Sequence, residues 1–420
     1  MSTSPPLVAV LGAGAAGLLA AIHAATAGAR VVLLERTADG GRKILISGGG
    51  RCNVLPSHLD TTRYVTASSP NSLRNILRGW PLEEQRAFFE QEVGLPLVLE
   101  EESGKLFPLS NSARSVRDGL VRTARARGVE WLPNTEVTAL DPLTPGWGIQ
   151  LANGRTIRAD AVIMATGGLS VPKTGSDGLA YRVLAGLGHT IHPTYPALTP
   201  LTLEPSIYAD LAGVSLPVTI EARNATERRE ASGGFLFTHR GFSGPAVLDV
   251  SHVAVRGRLA GEPPATLTVQ WTAYDAATWE AFLAPAAHQV GTVVRRELPT
   301  RLADRLLADI GVDPTRKLSQ LPRNGRKALV LALTKYPLPW TADEGYKKAE
   351  VTGGGVALGE VQPGTMESRI HPGLFLAGEL LDAFGPIGGY NFVWAWVTGR
   401  LAGLGAASVD DRGPRTEDRV

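Results

Sequence analysis

No stretch of the chain limits its fold as strongly as residues 7–35. LVAVL at 7–11 is a short, wholly apolar run of the kind that forms a parallel strand buried on both faces. GAGAAG follows at 12–17, then LLAAIHAATAG, an Ala- and Leu-rich helix that Gly28 can terminate. RVVLLE closes the stretch at Glu35 as a second strand. Strand, turn, helix and strand make a βαβ unit with a right-handed crossover. The apolar run from Leu7 to Ala29 is long enough to imitate a membrane span. Gly12 divides it, and the preceding MSTSPP lacks the basic segment of a secretory signal, so no membrane segment is expected.

The turn has the spacing GxGxxG. Gly12 permits the tight turn, Gly14 lets backbone approach a pyrophosphate, and Gly17 allows close helix–sheet packing. The helix start at Ala15 and Ala16 presents N–H groups to the anion. Glu35, 18 residues past Gly17, is placed to accept hydrogen bonds from an adenosine ribose, with Arg36 beside it. A carboxylate there suits NAD and FAD alike. FAD is favoured because distant segments return as further Gly-rich turns, as an extended ligand requires. These are the loop 40–53 with Arg42, Lys43, Gly49, Gly50, Arg51, Cys52 and Asn53, and the end of AVIMATGG with Ala165, Thr166 and Gly167. They continue with GLFLAGE, which brings Gly378, Glu379 and nearby Asp382, and with GPIGGYN, which brings Gly388, Gly389, Tyr390 and Asn391. Val137, in the strand-like run 135–140, completes the expected cofactor contacts. The dipole of the apolar helix opening at Tyr390 would favour negative charge on a reduced flavin ring, whereas a plain reading makes GPIGGYN the cap of a core helix.

From about 190 to 345 the texture changes to strand-like runs (VSLPVTIEA, GGFLFTHR, ATLTVQW) followed by helical ones, and after 346 Gly-rich turns return. One α/β domain interrupted by an insert is expected: 1–190, an insert over 191–345, a return over 346–409, and a frayed charged tail at 410–420. The Asn153-Gly154 pair suits a type I′ hairpin. Gly supplies 48 of 420 residues, above the usual share of about 7%, but in clusters and without the period of collagen. A single cysteine, Cys52, excludes a disulfide, a dithiol relay and a Cys-based zinc site, and points to the cytoplasm. A net charge of +2 makes no whole-chain case for nucleic acid.

GAGAAG…LLER, GRKILISGGGRCN, ATGGLSVPKTGSDG, GGFLFTHRGFSGPAVL, VTGGGV and TMESRIHPGLFLAGELLDAFGPIGGYNFVWAWVTG together resemble the BaiN/YhiN-type, aminoacetone-oxidase-like FAD-binding flavoproteins, over about 7–405. The resemblance implies an α/β fold: a Rossmann-like FAD-binding domain of glutathione-reductase type, interrupted by an inserted β-barrel plus helical domain. Two positions depart from the family pattern at expected flavin contacts. Val54-Leu55-Pro56 replaces a Thr-Asn continuation after GGGRCN, and Ile387 replaces a Thr in the late turn. Family activities include oxidation of a small amino ketone, reduction of steroid enones and reduction of a uridine in ribosomal RNA. All share hydride transfer through flavin.

Three residues are candidates for chemistry. His239 matches a family motif on the insert and could exchange a proton with substrate; the plain alternative is a strand-end His bonded to backbone. Cys52 follows three glycines and Arg51, a setting that could lower a thiol pKa, against the alternative of simple packing. Tyr390 could orient substrate or cap the ring. His189 and His192 lack a third ligand nearby, so no metal is expected. Arg114, Arg117, Arg122, Arg125 and Arg127 read first as a solvated helix face and second as an RNA contact. With no second GxGxxG, a dedicated NAD(P)H domain is missing. The expectation is an FAD-dependent oxidoreductase passing hydride between flavin and a small or flat organic substrate, with NAD(P)H as a transient donor. The alternatives are a flavin enzyme acting on an RNA base, and a non-catalytic flavin redox sensor. The oligomeric state is left open.

Overall fold

A computed structural model describes residues 4–284 and 287–409; the tail at 410–420 lies outside the described residues. The described residues form two compact units, one from 4–194 with 351–409 and the other within 195–350.

In chain order the first unit contains β1 (Leu7–Leu11), α1 (Ala15–Thr26), β2 (Arg30–Leu34), α2 (Arg42–Ile46), β3 (Leu55–Pro56), α3 (Pro70–Leu77), α4 (Leu82–Ala87), β4 (Leu97–Glu100), β5 (Lys105–Pro108), α5 (Ala113–Ala126) and β6 (Glu130–Leu132). It continues with β7 (Val137–Pro142), β8 (Trp147–Leu151), β9 (Thr156–Ala159), β10 (Ala161–Met164) and α6 (Leu179–Gly186), and β11 (Ile191–Ala197) carries the chain out. The second unit holds β12 (Leu201–Thr202), β13 (Ser215–Arg223), β14 (Arg228–Phe237), β15 (Gly241–Ser243), α7 (Pro245–Leu259), β16 (Thr266–Gln270), α8 (Ala276–Phe282), α9 (Val290–Glu297), α10 (Thr300–Asp309), α11 (Arg323–Thr334), β17 (Tyr336–Pro337) and β18 (Ala342–Asp343). The chain returns with β19 (Val351–Val356), β20 (Leu374–Leu376) and α12 (Tyr390–Ala407).

The first unit is organised by a parallel sheet of order β20-β10-β1-β2-β6. Its central strand β1 is buried from Val8 to Leu11, which is why it reads as a continuous apolar run rather than an alternating one. The run that imitates a membrane span is thus split between β1 and α1, and no described helix is long and apolar enough to cross a membrane. α12 lies along α1 at backbone contact: a Cβ added at Gly399 would stand 2.3 Å from Ala16 O, and one at Gly403 2.4 Å from Ala20 O. The β7-β8-β9 meander is antiparallel. Its hairpin is not type I′. Gly154 alone takes a positive φ (+81°), because the Asn153 side chain accepts from Arg155 N (3.1 Å) and the loop closes as a type I turn with a left-handed glycine.

The second unit is built on an antiparallel sheet of order β17-β16-β13-β14-β15-β12-β18, with β13 and β14 paired over nine residues. Phe235, Phe237, Phe242 and Trp271 fill its core, with Phe237 and Trp271 stacked at 5.9 Å. Among the described residues no ladder joins β17 to β18, so the closed barrel expected for the insert is not formed by hydrogen bonds. Residues 338–341 alone connect these edges, which keeps them within about 18 Å and forces the sheet to curl.

Candidate functional site

The first unit assembles the expected nucleotide turn from backbone. Gly12 N donates to Leu34 O (2.8 Å), and Gly12 adopts φ +96° with no room for a side chain, since its Cβ would fall 2.7 Å from Ala165 O. A Cβ at Gly17 would lie 1.8 Å from Gly12 O, so the first and third glycines of the turn pack on each other. At Gly14 an added Cβ meets nothing within 4 Å. That opening lies at the start of α1, whose first turn carries no acidic side chain. It is a cradle that a diphosphate would fit, with the N–H groups of Ala15 and Ala16 at the positive end of the helix.

Glu35 is 9% exposed, and its carboxylate is turned back on the same cradle. Oε2 accepts from Ala13 N (2.8 Å), while Oε1 accepts from Thr37 N (2.8 Å) and Thr37 Oγ1 (2.6 Å). A carboxylate offers about four acceptor positions, so room for a ribose hydroxyl remains. Thr135 N donates to Glu35 O (2.8 Å), which brings the start of β7, with buried Val137, to the same place. Ala165 N donates to Leu11 O (3.0 Å), and the next residues turn sharply at Gly167 (φ +75°).

The cations expected at the cofactor have other partners. Arg36 pairs with Asp177 (2.7 Å) and donates to Gly175 O (2.7 Å), Arg42 pairs with Asp39 (2.9 Å), and Arg51 pairs with Glu100 (2.9 Å) while lying over Phe107 at 4.1 Å. These contacts clamp loops to strands. Lys43 is different, because it joins a network that sequence reasoning missed. Its Nζ lies 2.5 Å from Glu379 Oε2 and 2.7 Å from Ser170 Oγ. Glu379 Oε1 accepts from Ser170 Oγ, from Thr352 N (3.0 Å) and from Thr352 Oγ1 (2.9 Å). Thr352 Oγ1 in turn accepts from Leu169 N (2.8 Å). Four chain segments meet at one carboxylate. The only sequence signal for Thr352 was the run VTGGGV, every residue of which is buried.

The loop 47–53 wraps tightly. Gly48, Gly49, Gly50 and Cys52 are all left-handed, and Cβ atoms added at Gly49 and Gly50 would meet nothing within 4 Å, a second stretch of bare backbone facing open space. Cys52 is fully buried, and burial pushes its thiol up to about 12 against a smaller opposing hydrogen bond from Ser47. This is the opposite of the lowering expected from Arg51, whose guanidinium is held elsewhere by Glu100. Asn53 follows at 9% exposure.

The late turn is held by its own side chains. Asn391 accepts from Gly385 N and donates to Gly385 O, both at 2.9 Å. Gly388 and Gly389 take φ of +114° and +95°. Tyr390 is buried: its hydroxyl accepts from Asp60 N (3.3 Å), its carbonyl accepts from Tyr64 Oη (2.7 Å), and Arg63 lies 5.3 Å over its ring. It anchors the 58–64 loop. Asp382 Oδ2 accepts from Thr66 Oγ1, Ala67 N, Ser68 N and Ser68 Oγ, at 2.8–2.9 Å. Its carboxylate is thus committed to the 66–68 loop. Ser68 Oγ and Asp382 Oδ2 also lie 3.4 and 3.8 Å from His192 Nε2. His192 lines a cavity of about 380 Å³ with Tyr181 and Arg182. His189 faces Glu360 (2.9 Å) and Ser368 (3.0 Å) instead, so the two histidines share no ligand site. Among the described residues no cluster of His, Cys, Asp and Glu could hold a metal.

His239 belongs to the second unit. It lies exposed in the turn between β14 and β15, and its carbonyl accepts from Ser206 Oγ (2.8 Å). The first unit therefore brings together the expected cofactor segments, while His239 is carried by the second unit.

A parallel sheet, a glycine-built turn at the end of its central strand, and bare left-handed backbone at a second loop define a Rossmann-like dinucleotide-binding fold. The chain belongs to the family described as HI0933-like protein Rossmann domain, which matches residues 6–405. It is 35% identical over 402 residues to a ribosomal RNA dihydrouridine synthase of Escherichia coli K12, covering 92% of this chain and 94% of that one. It is 33% identical over 408 residues to a 3-dehydro-bile acid delta(4,6)-reductase of Clostridium scindens, covering 95% and 98%. Among solved structures, a 3-ketosteroid delta1-dehydrogenase of Sterolibacterium denitrificans shares the fold at 12% identity, with a TM-score of 0.51 over 97% of this chain and all of that one.

Proposed function

We propose that the protein is an FAD-dependent reductase that delivers hydride to a carbon–carbon double bond conjugated with a carbonyl, in a small or flat organic substrate. The observation that carries this reading is the chemistry shared by two relatives similar over more than nine-tenths of the chain. Dihydrouridine differs from uridine by saturation of such a bond, and a delta(4,6)-reductase of a 3-dehydro bile acid saturates bonds conjugated to a ketone. FAD would be held by the Gly12–Gly17 turn, Glu35, the 47–53 loop and the 378–391 turns, and when bound it supplies the hydride. The chain's own residues then serve to hold the cofactor by backbone and to exclude water from it. NAD(P)H is the proposed transient donor, since one GxGxxG and one cysteine leave no resident relay.

The test is anaerobic stopped-flow absorbance of the yellow protein mixed with NADH or NADPH, then with a steroid enone. Bleaching followed by enone-dependent recovery of the flavin absorbance is expected. A flavin that bleaches with dithionite but with neither nucleotide would remove the reductase reading in favour of an oxidase. A second acceptor, a uracil base in RNA, is favoured by the 35% identity to the E. coli enzyme. Such a base must leave its stack to reach the flavin.

A further inference from the structure

The arginine helix that sequence reasoning singled out, α5, commits part of its charge to contacts within the chain. Arg117 contacts Asp118 and Asp39, Arg127 pairs with Glu92 (3.0 Å), and Arg122 reaches Val93 O. A different segment, in the second unit, does not. Residues 314–342 contain six cations and no acidic residue. Arg316, Lys317, Arg323 and Lys327 are exposed and Arg326 is half-exposed.

Among the described residues none of these five is in an ion pair, whereas Arg258, Arg295, Arg296 and Arg305 of the same unit each are. Asp313, the nearest acid in sequence, accepts from Thr315 N and Oγ1, and the Arg316 guanidinium adds to the lowering of its pKa. Arg323, Arg326 and Lys327 stand at i, i+3 and i+4, so they share one face of the first turns of α11. There the helix dipole repels them, and they repel one another. Leu329, Val330 and Leu333 turn the other face of α11 into the core, and Gly325 packs on Leu321. The cations of α11 thus lie on its outer face, and the helix's first turn carries no acidic side chain.

We propose that Arg316, Lys317, Arg323, Arg326 and Lys327 form a docking surface for the phosphate backbone of RNA. The choice of RNA among polyanions rests on the nucleobase acceptor argued above; the surface itself rests on the unpaired charge. An anionic membrane is disfavoured because α11 exposes only Leu331 as a large apolar side chain.

The experiment uses the full FAD-loaded chain and a labelled, uridine-containing RNA oligonucleotide, with binding read by anisotropy across a salt series. The triple variant Arg323→Gln, Arg326→Gln, Lys327→Gln is expected to bind at least tenfold more weakly near 0.1 M salt. Its log–log salt slope should be shallower by about 2, since each single-strand phosphate contact contributes roughly 0.7. The double variant Arg316→Gln, Lys317→Gln, which lies outside the helix, should weaken binding in the same sense and guards against a helix defect. Arg122→Gln with Arg127→Gln at α5, where the guanidinium groups are already engaged with Val93 O and Glu92, should leave affinity within about twofold. RNA affinity and slope unchanged in both α11-region variants would overturn the proposal. So would a loss confined to phosphatidylserine vesicles. Flavin bleaching and enone reduction are measured on the same variants. A wild type that reduces no conjugated acceptor, while the variants still lose RNA, would defeat the reductase reading and leave the docking surface standing.

Discussion

The two ends of the candidate cofactor cradle are made in different ways. At the Gly12–Gly17 end the shape is backbone against backbone, and the one important side chain, Glu35, also bonds mainly to main-chain N–H groups. At the 378–391 end side chains do the holding: Glu379 gathers Lys43, Ser170 and Thr352, Asp382 gathers the 66–68 loop, and Asn391 pins Gly385. At Gly12 and Gly17 this backbone-built site has no slack, because an added Cβ collides with main chain. A side-chain-built site can lose a member and relax. The first should fail abruptly under substitution and the second by degrees.

The sharpest break comes from two glycines three residues apart. Gly17→Val places a Cβ at 1.8 Å from Gly12 O and must push α1 off the turn. It should cost about 3 kcal/mol of stability and yield protein without flavin. Gly14→Ala puts its methyl into empty space, so thermal stability without cofactor should be unchanged within about 0.5 kcal/mol. FAD affinity measured by fluorescence titration should nonetheless fall by about 100-fold, or about 2.7 kcal/mol. If Gly14→Ala binds FAD like the wild type, the cradle does not receive the diphosphate.

Glu379→Gln tests the other end. Lys43 and Glu379 are 30% and 17% exposed, so the pair is partly solvated and its loss is worth less than a fully buried one. A fall of about 2 kcal/mol in stability and about tenfold in FAD affinity is expected, with Lys43→Met giving a similar result. Abrupt loss of flavin in either variant would erase the contrast between the two ends. Cys52→Ala should matter less still. A thiol pushed up to about 12 stays protonated and shielded. Alkylation of the folded protein should therefore be slow between about pH 7 and 9, and turnover should be retained. Loss of turnover with normal flavin content would show that the thiol touches substrate.

This contrast also explains what was legible in the sequence. The roles of Gly12 and Gly17 follow from spacing, because the collisions they avoid lie within one βαβ unit. Glu35 was placed by its position at a strand end. The partners of Arg36, Arg51 and Lys43 lie 141, 49 and 336 residues away, and no local pattern announces them. Glycines and hydrophobic periodicity speak to neighbours in sequence, whereas an ion pair depends on where two loops are brought by everything between them. For Cys52 the sequence offered both a lowered thiol and simple packing, because its surroundings in sequence are polar and glycine-rich while its surroundings in space are core.

The smallest effect at neutral pH lies on the helix that serves both ends, since α1 starts at the backbone-built turn and lies along α12. His23 on α1 packs against Trp80 (5.4 Å) and Phe88 (5.2 Å), and its buried Nε2 has no hydrogen-bond partner among the described residues. Burial above all, then the positive charges of Arg400 and Arg127, lowers its pKa from 6.5 to about 3. Above pH 6.5 the imidazole is neutral in both folded and unfolded chains, and the shift contributes nothing. Between 6.5 and about 3 the unfolded chain takes up a proton that the folded chain refuses, so stability falls by about 1.4 kcal/mol per pH unit. His23→Phe removes that proton while keeping the aromatic contacts. At pH 7 the variant should match the wild type within about 1 kcal/mol in urea unfolding. By pH 5 it should be the more stable of the two, and its FAD should be released at lower pH. Parallel acid limbs for the two proteins would mean that α1 does not set the acid sensitivity of the turn it carries.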